Sequence, residues 1–254
     1  MKKQLLMLAT TFATVTFISC SKEKVETNET GINEEIATKP PGGGGNVSIS
    51  SLNKNLEGLY RFDANLEDQT GKLPDAEPTA LDTHGVIYTR DRKGNPNSAI
   101  LFTGDYGADI HHVPITTNMS IAAWVQYTSP PPSTPPGIPG QVFYFVTSDY
   151  GPCFSQQNDN FWGVISSSYT DGFPSGPLDG NWHYLVATYD GNALKFYVDG
   201  NYVGNVINPN QFSPYTSTYN IGYYFNWFWK GSLDDLRFYG RTLTATDVQK
   251  LYNL

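Results

Sequence analysis

The stretch that decides the fold is residues 180–200, which read GNWHYLVATYDGNALKFYVDG. Alternate positions of 181–189 are apolar on both faces of a strand: Trp182, Tyr184 and Val186 on one face, and Leu185, Ala187 and Tyr189 on the other. A strand covered on both faces lies in the middle of a layered structure. The pair Asp199-Gly200 then predicts a tight hairpin whose central residues take positive φ.

Short apolar runs of the same kind recur through residues 55–240, and Gly, Asn, Asp and Pro separate them. This pattern predicts an all-β domain with one short helix at its C-terminal end. The helix is predicted because Thr244 and Asp247 form a variant of the capping box. The predicted strands cover 57–62, 98–103, 119–127, 141–147, 160–166, 181–189, 193–198, 201–206, 218–224 and 231–239.

Large rings inside these strands are predicted to lie in the core, since aromatic side chains bury well there. Trp124, Trp182, Tyr189 and Trp229 are the clearest cases. Cys153 is predicted to be a buried structural thiol, because its immediate neighbours are Pro and Phe.

The first 20 residues, MKKQLLMLATTFATVTFISC, carry the features of an export signal. Two lysines form a positive n-region, and residues 5–18 form an apolar stretch too short to span a bilayer. The run 17–20 (FISC) resembles the lipobox of bacterial lipoproteins. That resemblance implies removal of 1–19 as a signal peptide and lipidation of Cys20, which becomes the mature N-terminus.

Residues 20–54 are predicted to form a flexible tether between the lipidated cysteine and a single domain over 55–254. Within the tether, 21–46 contain no aromatic residue and end in Pro-Pro, four glycines and Asn. Such a segment cannot bury enough apolar surface to offset chain entropy. The run 21–24 (SKEK) resembles the export signals of Bacteroidetes surface lipoproteins. We therefore expect a protein anchored by lipid alone to the cell envelope, in the outer membrane. Both a periplasmic and a surface-exposed orientation of the anchor stay open at this point.

The chain is acidic, with a formal net charge of −8. Loss of the two n-region lysines leaves 14 basic and 24 acidic residues, a net charge of −10. No cluster of Lys and Arg interrupts this excess of negative charge. Nucleic acid and anionic lipid headgroups are therefore not expected as partners.

Seven segments in order resemble the laminin G-like, concanavalin A-like lectin/glucanase superfamily. They are 59–63 with 68–71, 99–104, 119–125, 180–191, 196–200, 231–239 and 241–244. The resemblance implies a jelly-roll sandwich of two antiparallel sheets. It does not imply one function, because this architecture carries lectins, carbohydrate-binding modules, adhesion modules and glycosidases alike.

Catalysis is not expected. Glycosidases need two carboxylates that flank the scissile bond, usually two Glu at alternating positions of one strand on this fold. After residue 47 the only glutamates are Glu57, Glu67 and Glu77, all before the central strands. Asp234 and Asp235 are adjacent, so in a regular strand they point to opposite faces.

A ligand site is predicted at residues 223–229, where six of seven residues are aromatic. Aromatic rings stack on the apolar faces of sugars, and Asn and Asp bind hydroxyl groups. The alternative is that these rings fill a gap between the sheets. The predicted ligand-binding residues are Tyr223, Tyr224, Asn226 and Trp227, with Tyr150 and Trp162 as a second side.

Three functions remain open at this point. The first is a surface-anchored, non-catalytic, lectin-like protein that binds a glycan. The second is a protein-interaction, adhesion or assembly module, in which the same rings form an apolar patch covered by a partner on the cell surface. The third is an unusual glycoside hydrolase, which the missing glutamate pair disfavours.

The resemblance also implies a structural calcium site where the first and last strands meet. The matching carboxylates are those of Asp63, Asp68, Asp234 and Asp235, and hard oxygen ligands suit Ca²⁺. The alternative for Asp63 and Asp68 is turn chemistry, because Asp is favoured in turns. If the ion is bound, EDTA lowers the melting temperature of the domain.

Replacement of Cys20 by Ala tests the predicted anchor. Because lipidation of Cys20 precedes cleavage, Cys20→Ala is expected to accumulate as unprocessed precursor. Immunoblotting and membrane fractionation of cells that express the variant measure this. A variant that matures and fractionates like the original chain would show that the lipoprotein interpretation is wrong.

Overall fold

A computed structural model describes residues 51–79, 85–127, 142–157, 160–164, 172–177, 179–207, 215–225 and 227–254. The chain divides into two compact units, Met1–Gly45 and Asn46–Leu254, and every described residue belongs to the second. The predicted signal peptide, Cys20 and most of the tether therefore lie outside the described residues. Within those residues, no helix combines the length and apolar character needed to cross a membrane.

Seventeen strands and one helix are seen in the described part of the chain. They are β1 (Leu56–Tyr60), β2 (Glu77–Pro78), β3 (Tyr88–Thr89), β4 (Ala99–Thr103), β5 (Ala108–Ile115), β6 (Met119–Tyr127), β7 (Val142–Thr147), β8 (Cys153–Gln157), β9 (Asn160–Val164), β10 (Gly172–Pro177), β11 (Trp182–Tyr189), β12 (Ala193–Val198), β13 (Asn201–Ile207), β14 (Tyr215–Ile221), β15 (Tyr223–Tyr224), β16 (Trp227–Phe228), β17 (Lys230–Tyr239) and α1 (Ala245–Tyr252).

These strands form two antiparallel sheets and a small hairpin. Sheet A has the order β13-β12-β11-β6-β17-β4-β3, and β1 also pairs with β17. Sheet B has the order β10-β9-β8-β7-β14-β5-β2, and β15 pairs with β16 in the hairpin. The predicted all-β sandwich of two antiparallel sheets with a short C-terminal helix is confirmed.

The main core lies between the two sheets. Leu185, Ala187 and Tyr189 of β11 contribute one face of that strand to it. Trp229 is buried there as predicted, with its ring centroid 4.7 Å from that of Phe145. Packing of this apolar surface, rather than a disulfide, holds the sheets together. Cys153 is buried as predicted, and its Sγ accepts a hydrogen bond from the Ser148 amide at 3.2 Å.

A second apolar cluster lies on the outer face of sheet A. Tyr184 and Val186 of β11 pack in it with Val248 and Leu251 of α1. This explains why both faces of β11 are apolar. The helix begins at the predicted place, because Thr244 and Asp247 form a complete capping box.

The predicted core rings differ in depth. Trp124 and Tyr189 are buried, whereas Trp182 is only partly buried at the edge of the second cluster. Trp182 is the first residue of β11, so less of the second cluster covers it than covers Tyr184 two positions later. Trp182 therefore packs against the second cluster but is less deeply buried than the other predicted core rings.

Some strand boundaries also differ from the prediction. The expected strand over 218–224 is two elements, because Gly222 takes φ +78° and ends β14 before β15 begins. Strand β5 was not predicted, since a bulge interrupts its alternation. Ala108 and Ile110 point inward. Because the bulge at His112 (φ +61°) adds one residue, the next inward residue is Val113 instead of position 112.

The predicted hairpin between β12 and β13 places a charged cluster beside β11. Asp199 and Gly200 have φ of +49° and +80°, as predicted. The Asp199 carboxylate accepts hydrogen bonds from the Tyr184 amide (2.8 Å) and from His183 Nδ1 (2.8 Å). His183 Nε2 lies 3.0 Å from Asp179. Hydrogen bonds from His183 to Asp199 and then to Asp179 raise the pKa of His183 to about 9.

Stability is therefore expected to depend on pH through His183. The folded chain keeps the imidazolium proton up to about pH 9, whereas the unfolded chain releases it near pH 6.5. The contribution of His183 is complete below pH 6.5 and is lost as pH rises through about 9, because the folded state binds more protons in that window. We expect a loss of about 1–2 kcal/mol in the free energy of unfolding, after solvent screening.

Urea unfolding at pH 6, 7.5 and 9 measures this effect. His183→Gln serves as the matched variant, since glutamine cannot take up the proton. The stability difference between the two chains is expected to be largest at pH 6 and to shrink towards pH 9. A difference that is constant with pH would contradict the assignment of the charge to His183.

Candidate functional site

The aromatic segment 223–229 forms a hairpin that folds back onto sheet B. Gly222 permits the turn into it, because a Cβ at this position would lie 2.2 Å from Phe102 Cδ1. The Tyr223 ring then packs against Gly107, just before β5, and lies parallel to the Phe228 ring at 5.8 Å. The segment therefore lies against the solvent face of sheet B, and among its described side chains only that of Trp229 enters the core.

Tyr223 is fixed by a carboxylate and an amide on two neighbouring strands. Asp109 of β5 and Asn220 of β14 are directly opposite in the sheet, so their side chains share the solvent face. The Tyr223 hydroxyl donates to Asp109 Oδ1 (2.7 Å) and accepts from Asn220 Nδ2 (3.1 Å). Asn220 also donates to Asp109 Oδ1 (2.8 Å). Burial and the Asp109 carboxylate raise the pKa of Tyr223, so the hydroxyl keeps its proton and remains a donor.

Tyr224 connects the hairpin to the turn that follows β7. Its hydroxyl donates to Asp149 Oδ1 at 3.1 Å. The next residue, Tyr150, is 54% exposed, and its ring lies 5.2 Å from that of Tyr215 at the start of β14. The two predicted sides of the site, Tyr224 and Tyr150, are thus brought close together. Tyr215, which is 60% exposed, was missed by the sequence analysis.

Phe225 is the most exposed of the hairpin rings that the structure describes. Its side chain is 72% exposed, and its backbone has φ +53°. The left-handed region is unfavourable for a bulky residue, so this conformation is strained. The Phe225 ring packs edge-on against Tyr224 at 4.4 Å. A strained backbone that holds an apolar ring in solvent is typical of a binding site rather than of a core.

For the remaining predicted ligand residues, the structure gives at most the position of the backbone in a strand. Trp227 lies in β16 opposite Tyr224, and Trp162 lies in β9 opposite Ser155. Asn226 lies outside the described residues. A role of these three residues in binding stays a prediction.

We name this surface the aromatic face. It consists of Asp109, Asp149, Tyr150, Tyr215, Asn220, Tyr223, Tyr224 and Phe225. His111 and Glu77 border it, since Glu77 is opposite Asp109 in the sheet. Exposed rings beside carboxylate and amide groups can stack on a ligand and bind its hydroxyl groups at the same time.

The four carboxylates predicted to hold calcium are given other roles. Asp63 is exposed. Asp68 is buried and accepts hydrogen bonds from the amides of Leu59, Lys72 and Leu73, among others. Asp234 and Asp235 bind an arginine, described next. Among the described residues, no group of three or more Asp, Glu, His or Cys side chains is arranged to hold a metal ion. Calcium binding stays a prediction.

Asp234 and Asp235 lie on the same side of their strand, which corrects the prediction of opposite faces. Asp235 takes φ +48° in a bulge of β17, so one residue is added to the alternation. Arg92 Nη1 donates to Asp234 (2.8 Å) and lies 2.9 Å from Asp235. Its guanidinium also lies 4.7 Å from the Trp124 ring. Burial and the charge of Asp235 raise the pKa of Asp234.

The fold and the aromatic face define a β-sandwich domain that carries its candidate ligand site on the solvent face of one sheet. More particularly, the Laminin G family model matches residues 102–249, more than half of the chain. The chain belongs to the concanavalin A-like lectin/glucanases superfamily. No curated protein sequence matches it.

Solved structures of similar fold include three proteins that handle sugars. Domain 4 of AbnA, a GH43 extracellular arabinanase from Geobacillus stearothermophilus in complex with arabinotriose, has a TM-score of 0.60 and 21% identity, over 78% of this chain and 98% of that one. The ligand binding domain of botulinum neurotoxin serotype D in complex with N-acetylneuraminic acid has a TM-score of 0.57 and 12% identity, over 82% and 52%. Trypanosoma rangeli sialidase has a TM-score of 0.57 and 17% identity, over 78% and 32%. At these identities the likeness shows the fold alone.

Replacement of Arg92 tests the charged network on sheet A. Arg92→Met leaves the buried Asp234 carboxylate without its cation, while the half-buried Asp235 keeps Arg237 at 3.7 Å. The loss of the buried pair is expected to cost about 3–5 kcal/mol in the free energy of unfolding. Denaturant unfolding at pH 7 measures the loss, and the double variant Arg92→Met/Asp234→Asn is expected to recover part of it. The neighbouring exposed residue supplies the control, because Lys93→Met should change stability by only about 0.5 kcal/mol. Equal stability of the two single variants would contradict the network.

Proposed function

We propose that this protein is a non-catalytic carbohydrate-binding lipoprotein, anchored to the cell envelope through Cys20, that binds its ligand on the aromatic face. The observation that carries the proposal is the hairpin of Tyr223 and Tyr224, whose hydroxyls are fixed by Asp109 and Asp149. Their fixed rings, together with exposed Phe225, form a surface ordered before any ligand arrives. Preorganised rings bind at a lower entropic cost than rings that must first be ordered.

Recognition on this surface would combine stacking with hydrogen bonds. Tyr150 and Tyr215 form one pair of exposed rings, and Tyr224 and Phe225 form another. Asp109 and Asn220 lie beside Tyr223 and carry groups that can accept hydrogen bonds from sugar hydroxyls or donate to them. The sugar complexes of the arabinanase domain and of the toxin domain support a carbohydrate ligand by analogy of fold.

A binding role is favoured over catalysis by the state of the carboxylates. Asp109 and Asp149 each accept a tyrosine hydroxyl, and Asp234 and Asp235 pair with Arg92 on the other sheet. Groups with such partners serve mainly to position neighbouring side chains. The alternative of a glycoside hydrolase is tested by incubation with glycans, in which release of reducing ends would contradict the proposal.

A protein-interaction module is the second candidate, favoured by the exposure of Phe225. An apolar ring at the tip of a hairpin suits insertion into a pocket of a partner protein. In that case Phe225 would affect capture of a protein from the cell surface and would leave glycan binding unchanged.

Ring truncation on the aromatic face tests the proposed function. Phe225→Ala and Tyr150→Ala are each expected to weaken glycan binding several-fold or more, because a stacking ring contributes about 1 kcal/mol or more. A glycan array followed by calorimetry with the full-length chain measures the effect. Trp227→Ala belongs in the same series, since Trp227 was the best single candidate from the sequence.

Tyr202→Ala supplies the matched control for these variants. Tyr202 is 53% exposed, like Tyr150, but it lies on β13 at the edge of sheet A. Its truncation is expected to leave both stability and glycan binding unchanged. If Tyr202→Ala and Tyr150→Ala behave alike in every binding assay, the aromatic face is not the site.

A further inference from the structure

Positive charge is absent from the strands of sheet B. From Gly94 to Trp229 the chain contains a single Lys or Arg, which is Lys195. Lys195 lies on β12 of sheet A, where its Nζ lies 3.0 Å from Asp190. In the described strands of sheet B, only His111 and His112 can become positive, and Glu77 lies 3.8 Å from His111.

The negative groups of sheet B, in contrast, lie on the aromatic face or at its border. Asp109 and Asp149 hold the two tyrosine hydroxyls, and Glu77 is 70% exposed beside Asp109. The tyrosine protons point towards these carboxylates, so they are not offered to an anionic ligand. A ligand on this face therefore meets acceptor oxygens, which suit neutral hydroxyl groups and repel carboxylate, sulfate and phosphate.

Lys230, the first residue of β17, follows the hairpin directly, and its side chain packs over Gly104. The two arginines of sheet A are placed elsewhere. Arg92 is bound by Asp234 and Asp235, and Arg237 lies 3.7 Å from Asp235. These side chains lie on the outer face of sheet A, which the main core separates from sheet B. The protein as a whole adds to the repulsion, because its net charge is −8.

We propose that the aromatic face selects uncharged glycans and excludes those that carry carboxylate, sulfate or phosphate groups. This inference rests on the proposed carbohydrate function and adds the charge class of the ligand. It also separates this chain from the toxin domain of similar fold, since N-acetylneuraminic acid is an acidic sugar.

Matched glycan pairs test the inference with the full-length chain. The neutral probes are arabino-, xylo- and cello-oligosaccharides and lactose. The acidic probes are oligogalacturonate and sialyllactose, and sialyllactose is the matched partner of lactose. Within a pair, the neutral member is expected to bind at least about tenfold more tightly at low salt. The difference is expected to narrow as NaCl rises from about 50 to about 500 mM, because salt screens the carboxylates.

Charge-neutralising variants identify the source of the discrimination. Glu77→Gln removes an exposed charge without touching the tyrosines, and Asp109→Asn removes the charge that holds Tyr223. Both are expected to reduce the preference for neutral glycans, whereas Asp190→Asn on sheet A should leave it unchanged. Glu77→Gln keeps the test valid if Asp109→Asn disturbs the hairpin.

The outcomes separate the two proposals. Acidic glycans that bind as tightly as their neutral partners would overturn the charge selection and leave the carbohydrate function standing. Failure to bind any glycan in the set would overturn the carbohydrate function, and the charge selection with it. Discrimination that survives Glu77→Gln and Asp109→Asn unchanged would show that the aromatic face is not its source.

Discussion

Burial of the central strands of sheet A on both faces is the constraint on which the rest of the molecule depends. One face of β11 closes the main core and the other packs in the second cluster with α1, so β11 has no free face to offer a ligand. Among the described residues, the main core covers one face of sheet B. A recognition surface can therefore form there without loss of core, and the hairpin of Tyr223 and Tyr224 is placed on it.

Much of the fold could be predicted because it depends on local patterns. A few neighbouring residues are enough to predict each of three features: the doubly apolar strand at 181–189, the Asp199-Gly200 turn and the capping box at Thr244. The exceptions are residues with left-handed backbones. The bulge at His112 interrupts the alternation of β5, so the sequence pattern did not indicate a strand there. The bulge at Asp235 places the carboxylates of Asp234 and Asp235 on the same side of β17.

The site was predictable only in part, for a different physical reason. The aromatic run identified Tyr223 and Tyr224, since the excess of rings is visible in the sequence itself. Their partners, Asp109 and Asp149, lie 114 and 75 residues away and become neighbours only through pairing of β14 with β5 and β7. No local pattern marks such residues, and isolated aspartates between strands look like ordinary turn residues.

Arg92 has a consequence for where the domain can be cut. Arg92 lies 142 residues before Asp234 and outside the matched family segment 102–249. It nevertheless forms the ion pairs with Asp234 and Asp235. Strand β1 also lies outside that segment, yet it pairs with β17 and contributes Leu56 and Leu59 to the second cluster. A fragment cut at the family limits would carry the buried Asp234 carboxylate without Arg92 and an edge of β17 without β1. The smallest unit able to fold alone is thus longer than the segment by which its family is recognised.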